Sequence, residues 1–309
     1  MMLGVASESA VGAGPELRVC DSPSHLDAIY HDTDCDLLAD PPQDKANLRN
    51  PETLVWAYTP IENPAIYASL FKPFTKHLES CVGRQIVYYP VQSNAAQVNA
   101  LRSGRLHFAG FSTGPTVAAV RKGGAHPFAA KGVAHEIRGY RMIAIVKSSS
   151  TFQRLSDLKG KKIAHTSKKS NSGNFAPRAY FPDQGLVPGV DYEPIMSGGH
   201  DRSILGVRSG DYDMAAMASD VFERMINRGT IRREDFRIIY QSPLFPTSSF
   251  VYAHDLDQGL VESLKQCFFN FRFTPEMSEA FQGDKRFLPI EYRRDWKAVR
   301  DIFRSDDDE

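Results

Sequence analysis

Apolar runs of strand length alternate with segments of helical spacing over most of the chain. TLVWAY at 53–58 is a short, nearly continuous apolar run bounded by Pro60, the pattern of a buried strand. Ile66, Leu70, Phe71, Phe74 and Leu78 then recur at helical spacing, which predicts a helix over 66–82 that Gly83 stops. The same reading predicts a strand at 84–89, a helix at 94–103, a strand at 106–111 and a helix opened by Ser112, Thr113, Gly114 and Pro115. Further strands are expected at 140–147, 163–166, 191–196, 212–218, 236–240 and 248–253. Helices are expected between them at 173–180, 203–207 and 221–227, and at the end of the chain over 260–271 and 295–303. Alternation of this kind implies parallel βαβ units.

The order strand, helix, strand, helix, strand occurs twice, with no tandem repeat. It predicts an α/β protein of two doubly wound lobes joined by a hinge, with chain crossings at 140–147 and 245–253. The expected division is an acidic N-terminal extension at 1–50, lobe 1 from 51–144 and 248–309, and lobe 2 from 145–247.

Composition narrows the function classes. The 309 residues carry 37 Lys+Arg and 37 Asp+Glu, with 42% hydrophobic and 24% charged residues. Such a chain is not mostly disordered, and zero net charge argues against wholesale non-specific nucleic-acid binding. No apolar stretch is long enough for a transmembrane helix. Four cysteines are too few for a disulfide scaffold. Cys20 and Cys35 flank a polar, Pro-rich segment where a bridge would close a short loop, given export. Cys81 and Cys267 lie in apolar helical patterns and are expected to be buried thiols. The residues from Met1 to Gly14 lack the basic start and apolar centre of a secretory signal. The residues from Asp306 to Glu309 form an acidic run, expected to be a solvated tail.

Candidate chemistry gathers at the carboxyl ends of strands, where open α/β sheets bind ligands. The strongest signal is the hydroxyl- and amide-rich turn from Ser167 to Asn174, which follows a strand and opens a helix. A helix start presents free N–H groups and partial positive charge to an anion. Ser170, Asn171 and Ser172 add side-chain donors and Lys168 and Lys169 add potential; a plain serine N-cap is the alternative. Ser93-Asn94 and Ser112-Thr113-Gly114 are similar turns, and Tyr58 and Thr59 end the first strand towards the same cleft. His200, followed by Asp201, opens a helix and is either an anion donor or a structural cap. Metal hydrolysis is disfavoured, since His165 and His254 lack partner spacing. Asp220 ends a strand, where it takes a ligand amine or caps the next helix. In the extension, Asp32, Asp34, Asp36 and Asp40 put carboxylates on a tight loop, which suits calcium. Leu37 stands where an EF-hand has glycine and the closing glutamate is missing, so an acidic surface loop is the alternative. No G-x-S-x-G, P-loop, G-x-G-x-x-G or H-E-x-x-H is present, so a binding module leads an enzyme.

Three segments in order, PVQSNAAQVNALRSGRLHFAGFSTGP, DLKGKKIAHTSKKSNSGNFAP and GGHDRSILGVRSGDYDMAAMASDVFERM, resemble the substrate-binding proteins of phosphonate ABC transporters. These belong to the type 2 periplasmic binding protein superfamily, and the similarity spans residues 52–303. The resemblance implies a periplasmic receptor, not an enzyme, that closes on a phosphonate and delivers it to a membrane permease. The secretory leader is then absent from this sequence, no cofactor is required beyond a structural calcium in the aspartate loop, and no nucleic acid is involved. The phosphonate falls on Ser170, Asn171, Ser172 and Gly173 with His200 assisting, and the opposite lobe supplies Tyr58, Asn94, Ser112, Thr113 and Tyr140. Asp220 matches a position that takes the amine of 2-aminoethylphosphonate, the favoured ligand, while Asn94 stands where some members have tyrosine. The alternatives are a receptor for phosphite, phosphate or methylphosphonate, an enzyme of the same fold that uses His200 on a phosphorylated small molecule, and a ligand-sensing partner of a membrane receptor. Zero net charge suits a receptor that attracts its anion locally.

Overall fold

The computed structural model describes residue 20 and residues 25–59, 64–166, 168 and 170–304. The expectations for the N-terminal stretch, for Ser167 and Lys169, and for the acidic tail lie outside the described residues. Lobe 1 opens with β1 (Thr53–Tyr58), α1 (Pro64–Leu70), α2 (Lys72–Val82), β2 (Gln85–Tyr88), α3 (Asn94–Arg102), β3 (Phe108–Ser112), α4 (Thr113–Gly123), β4 (Ala125–Val133) and β5 (Glu136–Ile137). The chain crosses through β6 (Gly139–Tyr140) into β7 (Met142–Lys147). Lobe 2 continues with β8 (Ile163–His165), α5 (Ala176–Tyr180), β9 (Pro194–Met196), α6 (His200–Ser209), β10 (Met214–Ala218), α7 (Ser219–Asn227) and β11 (Phe236–Gln241). It returns through β12 (Phe245–Pro246) and finishes with β13 (Ser248–Ala253), α8 (Gln258–Asn270), α9 (Pro275–Ala280), β14 (Arg286–Pro289), α10 (Tyr292–Asp295) and α11 (Lys297–Arg304).

Two sheets follow. The larger runs β14-β4-β13-β3-β1-β2 with β5 on β4, and the smaller runs β11-β7-β10-β8-β9. Each is parallel where βαβ units build it: β1 with β2 and β3, and β8 with β9 and β10. Each also contains antiparallel strands, because the crossing strands arrive from the other lobe: β13 lies between β3 and β4, and β7 between β10 and β11. The crossings themselves pair as a two-stranded ribbon, Tyr140 opposite Phe245 and Gly139 opposite Pro246.

Several elements differ from the pattern reading. The helix expected over 66–82 breaks at Phe71, where Pro73 opens α2, since proline fits only a helix's first turn. The strand expected over 140–147 breaks at Arg141 into β6 and β7, and the helix expected over 295–303 breaks at Trp296. β4 and β14 had no counterpart in the pattern, because Pro127 and Lys131 interrupt the apolar run of β4.

The core of lobe 1 is aromatic. Trp56 stacks on Phe108 at 5.4 Å and meets Phe71 and Phe74 edge-on at 5.1 and 5.6 Å. Burying each such ring stabilises the fold by roughly 1.5–3 kcal/mol. Cys81 and Cys267 form a disulfide that staples α2 to α8, a correction to the expectation of buried thiols. Cys81 is exposed and only Cys267 is buried, and apolar spacing along each helix does not reveal that the two helices face one another. Cys20 and Cys35 form a second disulfide. The N-terminal segment docks on lobe 1 through a two-point Arg49–Asp255 ion pair, an edge contact of Tyr30 on His254, and a bond between His126 Nε2 and the Ala39 carbonyl at 2.6 Å.

Candidate functional site

The turn after β8 is built to expose donors. Ser170 caps it, its Oγ accepting from the Gly173 N–H at 3.0 Å. The first turn, Asn171–Phe175, is wide and π-type before α5 begins, so the helix expected from Gly173 starts irregularly. Gly173 is a packing residue: a Cβ there would sit 2.0 Å from Thr166 Oγ1. Behind the turn, buried His165 meets Asn174 Oδ1 through Nδ1 at 3.0 Å and the Tyr192 hydroxyl through Nε2 at 2.8 Å. Asn174 in turn donates to the Lys168 carbonyl at 3.0 Å. This network fixes the turn from the inside.

His200 stands at the start of α6. Burial holds its ring below the usual histidine range, so it is neutral at pH 7. Nδ1 accepts from the Ala218 N–H at 3.3 Å, with Thr166 Oγ1 at 3.2 Å. The ring proton therefore sits on Nε2, and His200 has one N–H donor left.

A cleft of about 700 Å³ lies between the lobes. It brings together Tyr58, Tyr140, Ser170, Asn171, Ser172 and His200, with Asp220 beside them. Asn94, Ser112 and Thr113 do not join it. They line a second cavity of about 650 Å³, and Tyr140 and Asn171 form the wall shared by the two. Asn171 Nδ2 donates to the Tyr140 hydroxyl at 2.9 Å, and burial pushes that phenol's pKa up. Thr113 is committed to the crossing, its hydroxyl donating to the Pro246 carbonyl at 2.8 Å. Thr59, Gly173 and Asp201 line neither cavity. Thr59 is buried and bonds Asn94 Oδ1, and Asp201 is exposed on the outside of α6.

The cleft also holds charges that the sequence pattern did not single out: Lys131, Arg138, Arg224 and Asp284. Arg224 Nη1 pairs with Asp220 Oδ2 at 2.7 Å, and Arg138 Nε with Asp284 Oδ1 at 3.1 Å. Burial pushes the Asp284 carboxyl up, against the pull of Lys131 and Arg138. Lys131 is 5% exposed, and its ammonium donates to the Tyr58 hydroxyl at 2.8 Å and the Ser248 hydroxyl at 2.7 Å. Among the described residues, three cations thus face two carboxylates. The available signal was Lys131 itself, a lone cation among apolar residues of β4.

In the N-terminal loop, Asp32, Asp34 and Asp36 can each bring one oxygen within 4.8 Å of the others, while Asp40 stands outside that group. These carboxylates also serve the loop's own backbone. Asp32 accepts from the Asp36 and Leu37 N–H groups at 3.0 and 3.1 Å, and Asp40 accepts from the Thr33 N–H at 2.9 Å. Burial, then the neighbouring Asp34, Asp32 and Asp40 charges, push the Asp36 pKa up to about 6.

Among the described residues no helix is long and apolar enough to cross a membrane. Residues 56–295 match the family model of the ABC transporter, phosphonate, periplasmic substrate-binding protein. The chain is 28% identical over 247 residues to the phosphate-import protein PhnD of Mycolicibacterium smegmatis, covering 74% of this chain and 75% of that protein. It is 24% identical over 270 residues to a probable ABC transporter phosphite binding protein, PhnD1 of Prochlorococcus marinus, covering 82% and 90%. The solved structure of that PhnD1 with methylphosphonate aligns with a TM-score of 0.60 at 21% identity, covering 84% of this chain and 100% of that one.

Proposed function

The chain belongs to the family of periplasmic substrate-binding proteins of phosphonate ABC transporters, whose members are transport receptors and not enzymes, and on that premise we propose that its interlobe cleft binds a phosphonate or a closely related phosphorus oxyanion for delivery to a permease. One observation carries the reading. Hydroxyl, amide and imidazole donors of lobe 2 share a cleft with a buried lobe 1 ammonium whose hydrogen-bond partners among the described residues are neutral. An oxyanion with several acceptor oxygens satisfies such a set, and charge-assisted bonds replace its water. Closure of the lobes would then favour the liganded form. Two disulfides suit an oxidising compartment, which supports a periplasmic location.

Within that class, 2-aminoethylphosphonate is the ligand the sequence favours, with Asp220 taking the amine. The Asp220–Arg224 pair favours a second reading, because a carboxylate already held by guanidinium offers less to an ammonium. That reading is a ligand without an amine: methylphosphonate, phosphite or phosphate. Titration calorimetry against these four compounds tests both. Binding to none removes the proposal, and Asp220→Ala discriminates, since it weakens only the aminoethyl compound if the amine sits there.

A further inference from the structure

Lys131 is a buried ammonium whose hydrogen-bond set is unfinished among the described residues. Such a group has three donors and no acceptor. Two donors are taken by the Tyr58 and Ser248 hydroxyls. Among the described residues it has no ion pair; the nearby carboxylate, Asp284, is held by Arg138. The ammonium also lies 4.6 Å from the centre of the Phe281 ring, so an aromatic face supplies part of the missing stabilisation. Lys131 lines the interlobe cleft. Tyr58, whose oxygen accepts from Lys131, must turn its own proton elsewhere, and Tyr58 lines the cleft too. The lobe 1 wall thus presents an ammonium and a phenol O–H, backed by aromatic rings. This wall faces the Ser170–Ser172 turn and His200 across the lobes.

We propose that Lys131 sets the charge preference for the organic end of the ligand, so that the cleft selects a phosphonate whose organic end bears a carboxylate. The inference rests on the reading of the cleft as a phosphonate site, with the phosphorus group on the lobe 2 turn. A carboxylate completes the ammonium's donor set, accepts from Tyr58 and gives Lys131 the ion-pair partner it lacks among the described residues. An ammonium at the same place would meet Lys131 as a like charge and find Asp284 and Asp220 already paired.

Titration calorimetry with phosphonoacetate, methylphosphonate and 2-aminoethylphosphonate tests this on the wild type and on Lys131→Met. The wild type should bind phosphonoacetate at least about tenfold more tightly than either other compound. Lys131→Met should lose that preference, weakening phosphonoacetate at least about tenfold more than methylphosphonate. If the variant does not fold, the wild-type rank order decides alone, and a preference for 2-aminoethylphosphonate overturns the inference. Equal weakening of phosphonoacetate and methylphosphonate by Lys131→Met also overturns it, because Lys131 then holds the phosphorus group, while the phosphonate reading of the cleft stands. Failure of the wild type to bind any phosphonate removes the reading of the cleft and the inference with it.

Discussion

Asn171 donates to the Tyr140 hydroxyl at 2.9 Å, and this one bond ties the lobe 2 turn to the crossing ribbon and separates the two cavities. Asn171 Oδ1 is buried and has no partner of its own among the described residues, so the amide depends on Tyr140. Tyr140→Phe should therefore cost about 0.5–1.5 kcal/mol of stability, the net worth of one hydrogen bond, since Asn171 is half-buried and lines both cavities. A urea melt measures it. A variant as stable as the wild type would show that the bond does not hold the turn.

The Asp220–Arg224 pair should matter little for stability and more for ligand choice. Its side chains are 33% and 37% exposed, and pairs of that kind contribute about 0–1 kcal/mol. Asp220→Asn frees Arg224 and removes a negative charge from the cleft. Methylphosphonate or phosphate affinity should then stay level or rise by calorimetry. A marked fall would mean that the carboxylate itself organises the site.

Acid should destabilise the fold through His165. Burial holds its pKa down at about 4, against about 6.5 in the unfolded chain. Between those values the unfolded chain binds the extra proton, so stability is lost as pH falls through that window. The contribution is on the order of 3 kcal/mol for this fully buried ring. His107, held to about 4 mainly by burial, acts in the same direction. Asp36, raised to about 6, acts oppositely, because the folded state then holds the proton more tightly than the unfolded chain. Thermal melts from pH 7 to 4.5 should show a falling Tm, and a rising Tm would mean that the carboxylates outweigh the histidines.

Thiol titration checks the disulfides. Alkylation in denaturant without reductant should label none of the four cysteines, and all four after reduction. Reduction should lower stability by about 2–4 kcal/mol for the long loop that Cys81–Cys267 closes. Labelling of Cys81 and Cys267 before reduction would restore them as thiols.

Much of the fold was legible because strands such as TLVWAY at β1 carry a continuous apolar run, and because glycines such as Gly83 and Gly210 stop helices in the left-handed conformation. β4 was not, since Pro127 and Lys131 interrupt its apolar run. With β4 unread, the cleft's cation went unread too. The turn at Ser170–Ser172 and His200 was visible, because strand ends followed by hydroxyls and helix starts have a local signature. What local pattern cannot carry is partnership across the fold. Thr113 looks like an anion donor until Pro246 takes its hydroxyl, Asp220 looks free until Arg224 pairs with it, and Cys81 looks like a lone thiol until α8 packs beside α2.

A crystal structure grown with the tightest binder of the calorimetry series tests the central claim most directly. The account predicts phosphorus density within hydrogen-bond reach of the Ser170–Ser172 turn and His200 Nε2, between lobe 2 and Tyr58. Density lodged only in the second cavity, against Asn94 and Ser112, would contradict it.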